Sequence, residues 1–177
     1  MKKFIKVGSI AIAAIIAVIT FSLLFVTKSQ AHDLVTHPLE ERRPMTETPA
    51  DYGLPYEEVT VTTADGLRLA GWYVPSQNGA VIIAQHGYKG DRTDLLMEAE
   101  CLHRHGYGVL LTSLRAHDQS EGELIAFGKP EMQDFEAWYR YLLSREDVDP
   151  DRIGLIGESM GGTLSIQYTA QNPNIKA

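Results

Sequence analysis

Positions 7 to 26 follow one another without a single charge. At about 1.5 Å of rise per residue, a helix of that length spans about 30 Å, the thickness of a bilayer's hydrocarbon core. Beyond it, residues 28–56 hold Pro38, Pro44, Pro49 and Pro55 among charged and polar positions with no apolar period, the pattern of a tether. Residues 57–63 alternate and are β-branched, 64–66 read as a turn, and 67–74 alternate again, which predicts a hairpin. Short continuous apolar runs at 80–84, 108–112 and 152–156 predict strands buried on both faces. Helical spacing appears at 91–105, stopped by Gly106, at 130–145, opened by Pro130, and at 160–171. A further strand is expected to begin at 175–177. Strands alternating with helices after an opening hairpin predict a three-layer α/β/α sandwich with a mostly parallel sheet, preceded by a transmembrane helix. The expected division is 1–27, an N-terminal signal anchor; 28–56, an extracytoplasmic tether; and 57–177, the folded domain.

Charge sharpens the placement. The formal net charge is −7, and setting aside Lys2, Lys3 and Lys6 leaves residues 7–177 at −10. A domain that acidic is repelled by phosphate backbones, so nucleic acid is not an expected partner. The three lysines precede the apolar run and only Lys28 follows it closely, a bias that predicts the N-terminus inside and the domain outside a cell membrane, single-pass. The membrane is thus an expected partner through the N-terminal helix. Ser29-Gln30-Ala31 carries small residues where a signal peptidase reads them, so secretion after cleavage is the alternative. Cys101 is the single cysteine, which excludes an internal disulfide and a cysteine-built zinc site. No H-E-x-x-H, dinucleotide fingerprint or phosphate loop is present, and neither a cofactor nor a metal is expected.

The run 152–156 leads straight into Gly157-Glu158-Ser159-Met160-Gly161-Gly162 and then into a helix. A serine between glycines at a strand-to-helix turn is a nucleophile elbow: side chains at Gly157 and Gly161 would meet neighbouring backbone, and the serine is held exposed at the tip. The helix start adds backbone N–H groups and a positive dipole end where negative charge would develop. After the first buried run stands His86-Gly87-Tyr88. Gly87 would let the backbone approach a bound acyl group, the Tyr88 N–H could pair with that of Met160 as a two-donor oxyanion hole, and His86 is expected to order the loop by hydrogen bonding.

These segments, with Arg115-Ala116-His117-Asp118-Gln119-Ser120-Glu121-Gly122 and Asp149-Pro150-Asp151-Arg152-Ile153, resemble the α/β-hydrolase superfamily over residues 57–177. The likeness is to membrane-tethered bacterial serine hydrolases similar to the prolyl-oligopeptidase and dienelactone-hydrolase branches. The resemblance implies Ser159 as nucleophile, Tyr88 and Met160 as oxyanion donors, and a small-molecule ester, thioester or peptide substrate. Ala116 and Asp118 stand where this loop usually has glycines. In this fold the triad acid and histidine follow the serine along the chain, yet no Asp, Glu or His follows Ser159 here. The expectation is therefore the N-terminal portion of a hydrolase, inactive by itself, with His117 the one conceivable local substitute base. The alternative is a degenerate hydrolase fold serving as a binding or scaffold module at the membrane.

Overall fold

The hairpin at the start of the domain sets the edge of the sheet. In the computed structural model, which describes residues 2–176 and their side chains from Ile12 onward, Glu57–Thr62 (β1) pairs antiparallel with Arg68–Val74 (β2). The chain then forms Val81–Gln85 (β3), Leu96–Arg104 (α2), Gly108–Thr112 (β4), Lys129–Leu143 (α3), Ile153–Gly157 (β5) and Met160–Gln171 (α4). The helix before β1 is Lys2–Val35 (α1). The strand order is β1-β2-β4-β3-β5. Crossovers through α2 and α3 make β3 parallel to both β4 and β5. β2 lies antiparallel to β4 as well as to β1. The sheet is therefore mixed, which corrects the expectation of a mostly parallel one. A continuous apolar run reports burial on both faces and carries no information on direction; only a helical crossover imposes it.

Alternation along each strand feeds two cores. Leu69, Tyr73, Val81, Ile83, Leu110 and Ile153 face α3 and α4, meeting Phe135, Trp138, Leu142, Leu164 and Tyr168. Trp72, Val74, Ala84, Val109 and Leu111 face the other way, onto Leu95, Leu96 and Ala99 at α2. Helices on both faces make the three layers. The first turn of the helix expected at 91–105 is instead a 3-10 turn, Arg92–Leu95, capped by Asp91, whose carboxylate accepts from the Thr93 N–H at 2.9 Å.

The chain forms two units, Met1–Thr36 and His37–Ala177. In the first, α1 runs past the apolar segment because no helix breaker occurs between Val26 and Val35; Pro38 disfavours helix at the residue before it. Ile12–Val35 is long and apolar enough, by length and composition, to cross a membrane, and its residues are not buried. The tether expected at 28–56 is not one stretch. Residues 28–35 are helical, and from His37 the chain lies against the domain. The His37 N–H donates to the Glu123 carbonyl at 2.8 Å, and Pro49 and Leu54 are buried. The Arg42 guanidinium donates to the carbonyls of His37, Asp118, Ser120 and Gly122. Pro49 marks irregular backbone that is packed rather than free, whereas Pro44 and Pro55 are exposed. At the other end, the Lys176 N–H donates to the Ile153 carbonyl at 3.0 Å, and no strand is formed there among the described residues. Ala177, last of the expected strand, lies outside them.

Candidate active site

β5 and α4 meet at Ser159, whose backbone is left-handed at φ 48° and ψ −112°. An L-residue with a side chain is strained there, and such strain is kept where the surroundings over-determine it. They do so through the two glycines. A Cβ on Gly157 would lie 2.4 Å from the Gly161 carbonyl carbon, and one on Gly161 would lie 2.4 Å from the carbonyl oxygens of Gln85 and His86. Only hydrogen fits at either position, so the start of α4 nests against the end of β3. Ser159 is exposed, and its side chain takes no part in capping α4. Met160, the first helical residue, has no carbonyl one turn back for its N–H within α4.

The structure brings His86, Gly87 and Tyr88 to the same edge. A Cβ on Gly87 would stand 3.6 Å from the Ser159 Cβ. Gly87, Tyr88, Lys89, Gly90, Glu158 and Ser159 line a cavity of about 500 Å³ together with Arg43 and Asp94. Arg43 pairs with Asp91 at 3.1 Å and Asp94 at 3.0 Å. The Tyr88 ring stacks on Phe127, centroids 5.4 Å apart. Arg43 and Asp94 escaped the sequence reading, and no local signal could have found Arg43, which reaches the cavity from the proline-rich segment.

His86 and His117 are buried. His86 Nδ1 donates to the Gly87 carbonyl at 2.8 Å, and its Nε2 accepts from the Leu114 N–H at 3.2 Å. His117 Nδ1 donates to the Arg115 carbonyl at 2.8 Å, and its Nε2 accepts from the Lys89 N–H at 3.1 Å. Burial lowers the pKa of both; that of His117, with the His86 ring beside it, falls to about 2. Both rings are thus neutral and fully bonded, and His117 is not a base for Ser159. His103 and His105 sit at the opposite end of the sheet, where His103 meets Gln77 and His105 follows α2.

The loop with two glycine replacements keeps its left-handed backbone, with φ 61° at Ala116 and 46° at Asp118. Partners hold it. Asp118 accepts from Arg92 Nε at 2.5 Å, and Arg92 has no exposed side-chain surface. Arg115 donates to Asp134 at 2.7 Å and Asp65 at 2.8 Å. Hydrogen bonds from Arg115 and Thr63 hold the Asp65 pKa down to about 2, whereas burial raises that of Asp134 to about 6 against the pull of Arg115. Among the residues described, no group of three or more His, Cys, Asp or Glu is arranged to hold a metal ion.

The fold is α/β: a mixed sheet ordered β1-β2-β4-β3-β5, with a glycine-locked, left-handed serine in the turn from β5 into α4 at the C-terminal edge of its parallel strands. Residues 80–177 match the family model described as the alpha/beta hydrolase fold, and the chain belongs to that family. It is 30% identical over 168 residues to an uncharacterised protein of Mycobacterium tuberculosis, a match covering 93% of this chain and 58% of that one. A thiohydrolase of Aspergillus aculeatus is 33% identical over 115 residues, covering 63% of this chain and 36% of its own. The solved structure of an esterase from Pyrococcus furiosus superposes with a TM-score of 0.72 at 31% identity, covering 80% of this chain and 53% of that one. The chain thus spans little more than half the length of the mycobacterial relative and of the esterase.

Proposed function

We propose that the whole protein is a serine hydrolase of small ester, thioester or peptide bonds, held at a membrane by α1 with its domain on the extracytoplasmic side. The observation that carries the chemistry is the left-handed Ser159 between Gly157 and Gly161, at the mouth of the cavity and at the N-terminus of α4. The Ser159 oxygen adds to the substrate carbonyl carbon as its proton passes to a base. The N–H groups of Tyr88 and Met160 receive the charge on the carbonyl oxygen, assisted by the positive end of α4. The alkoxide, thiolate or amine then leaves with that proton, and water releases the acyl group by the reverse path. His86 and His117 are committed to backbone partners, so neither ring is available to take that proton. The esterase and thiohydrolase relatives favour esters and thioesters over peptides.

Hydrolysis of p-nitrophenyl acetate by the full-length protein tests this. Ser159→Ala should lower kcat by at least about 10³-fold, the scale on which a nucleophile's loss is felt. Hydrolysis that survives the substitution overturns the assignment.

A further inference from the structure

The two buried imidazoles are bonded reciprocally. His86 donates to its own loop and accepts from the Leu114 N–H of the other; His117 donates to its own loop and accepts from the Lys89 N–H of the first. Carbonyls only accept and backbone N–H groups only donate, so each ring must carry its proton on Nδ1 and none on Nε2. The rings lie 4.7 Å apart at 48°, and His37 backs His117 edge-on at 5.4 Å.

What they hold is the pair of peptide planes on either side of Tyr88. His86 grips the Gly87 carbonyl, which also closes the turn by accepting from the Gly90 N–H at 3.2 Å. In a planar trans peptide the C=O and N–H point in opposite directions, so fixing the Gly87 carbonyl aims the Tyr88 N–H. His117 grips the next plane through the Lys89 N–H. We infer that His86 and His117 are positioning residues that aim the Tyr88 N–H at the oxyanion, one through each flanking peptide. This rests on the Ser159 reading above.

Asparagine and glutamine separate the two bonds that each ring makes. Asn places an amide donor near the position of Nδ1, and Gln places an acceptor near that of Nε2. At 86 the bond that matters is the donation to Gly87, so His86→Asn should keep kcat for p-nitrophenyl acetate within about threefold. His86→Gln should lose about tenfold to hundredfold, somewhat less than outright removal of an oxyanion donor. At 117 the order reverses: His117→Gln retains kcat and His117→Asn loses it, with KM little changed in all four. Every variant forfeits one buried hydrogen bond, so a purely structural role would make Asn and Gln equivalent at each site. Equal kcat within both pairs, or losses that track melting temperature, overturns the inference. Should variants fail to fold, imidazole nitrogen shifts of the wild-type protein decide: both rings must be Nδ1–H at pH 7, and an Nε2–H form of either contradicts the latch. A wild-type protein that does not react at Ser159 removes the hydrolase reading itself, an outcome visible before any histidine is changed.

Discussion

Ala116 and Asp118 adopt left-handed backbone for which glycine is the cheapest residue, and they do so for different reasons. Ala116 is buried and its methyl has no polar partner, so Ala116→Gly should leave stability unchanged or raise it by up to about 1 kcal/mol, relief of strain being offset by a more flexible unfolded chain. Asp118→Gly relieves the same strain but takes the shorter ion pair from the buried Arg92, leaving it the longer one to Glu58 at 3.4 Å, and should cost about 2 kcal/mol. Denaturant unfolding compares them, and equal destabilisation by the two would contradict this account. The buried histidines predict a pH effect at the same scale. Their folded pKa values lie below the ordinary 6.5, so the unfolded chain takes up protons that the fold refuses. Stability is full above pH 6.5 and declines as pH falls, His117 contributing about 1.4 kcal/mol per pH unit. Asp134, raised to about 6, has the opposite sign between pH 6 and 4 and offsets that contribution. His117→Gln should lower the slope of stability against pH between pH 6 and 4.5 by about 1.4 kcal/mol per pH unit. An unchanged slope in that variant would mean His117 is protonated in the folded protein.

The elbow is an element-scale device, because it is the steric fit of α4 onto the end of β3 that creates it. Gly161→Ala places a methyl 2.4 Å from two backbone oxygens and should cost about 1–3 kcal/mol through displacement of α4, with Ser159 reactivity falling further than stability. A variant of wild-type reactivity would show that α4 has room to spare. This element was legible from sequence because its logic is local: a strand, a glycine, a serine, a glycine and a helix in one continuous stretch. The bounds of β4 and α4 were legible for the same reason, as unbroken or periodic apolar patterns closed by breakers. The segment 37–56 was not, since its attachment depends on a few long-range contacts rather than on a pattern. Arg42 shows why: read along the chain it is one charge among several, yet its side chain answers carbonyls 76 to 80 residues away. Arg42→Met should therefore cost about 2–3 kcal/mol by leaving those carbonyls without their partner, where a surface arginine would cost next to nothing. Denaturant midpoints of the two proteins give the difference directly. The His86–His117 bonding was hidden likewise, each cross-loop bond joining residues 28 apart with no periodic signal.

For the whole molecule, an exposed apolar helix and an acidic domain follow one another with Thr36 at their boundary. A helix of that length in the bilayer should keep the protein with membranes through carbonate extraction, its N-terminal sequence beginning at Met1. A soluble form beginning at His32 would show a cleaved signal instead. Mass spectrometry of the full-length protein after reaction with a fluorophosphonate probe decides whether Ser159 is the nucleophile. A single adduct is expected on the peptide carrying Gly157-Glu158-Ser159-Met160-Gly161, absent from Ser159→Ala; an adduct on another residue, or one that persists in that variant, would show that Ser159 is not the nucleophile.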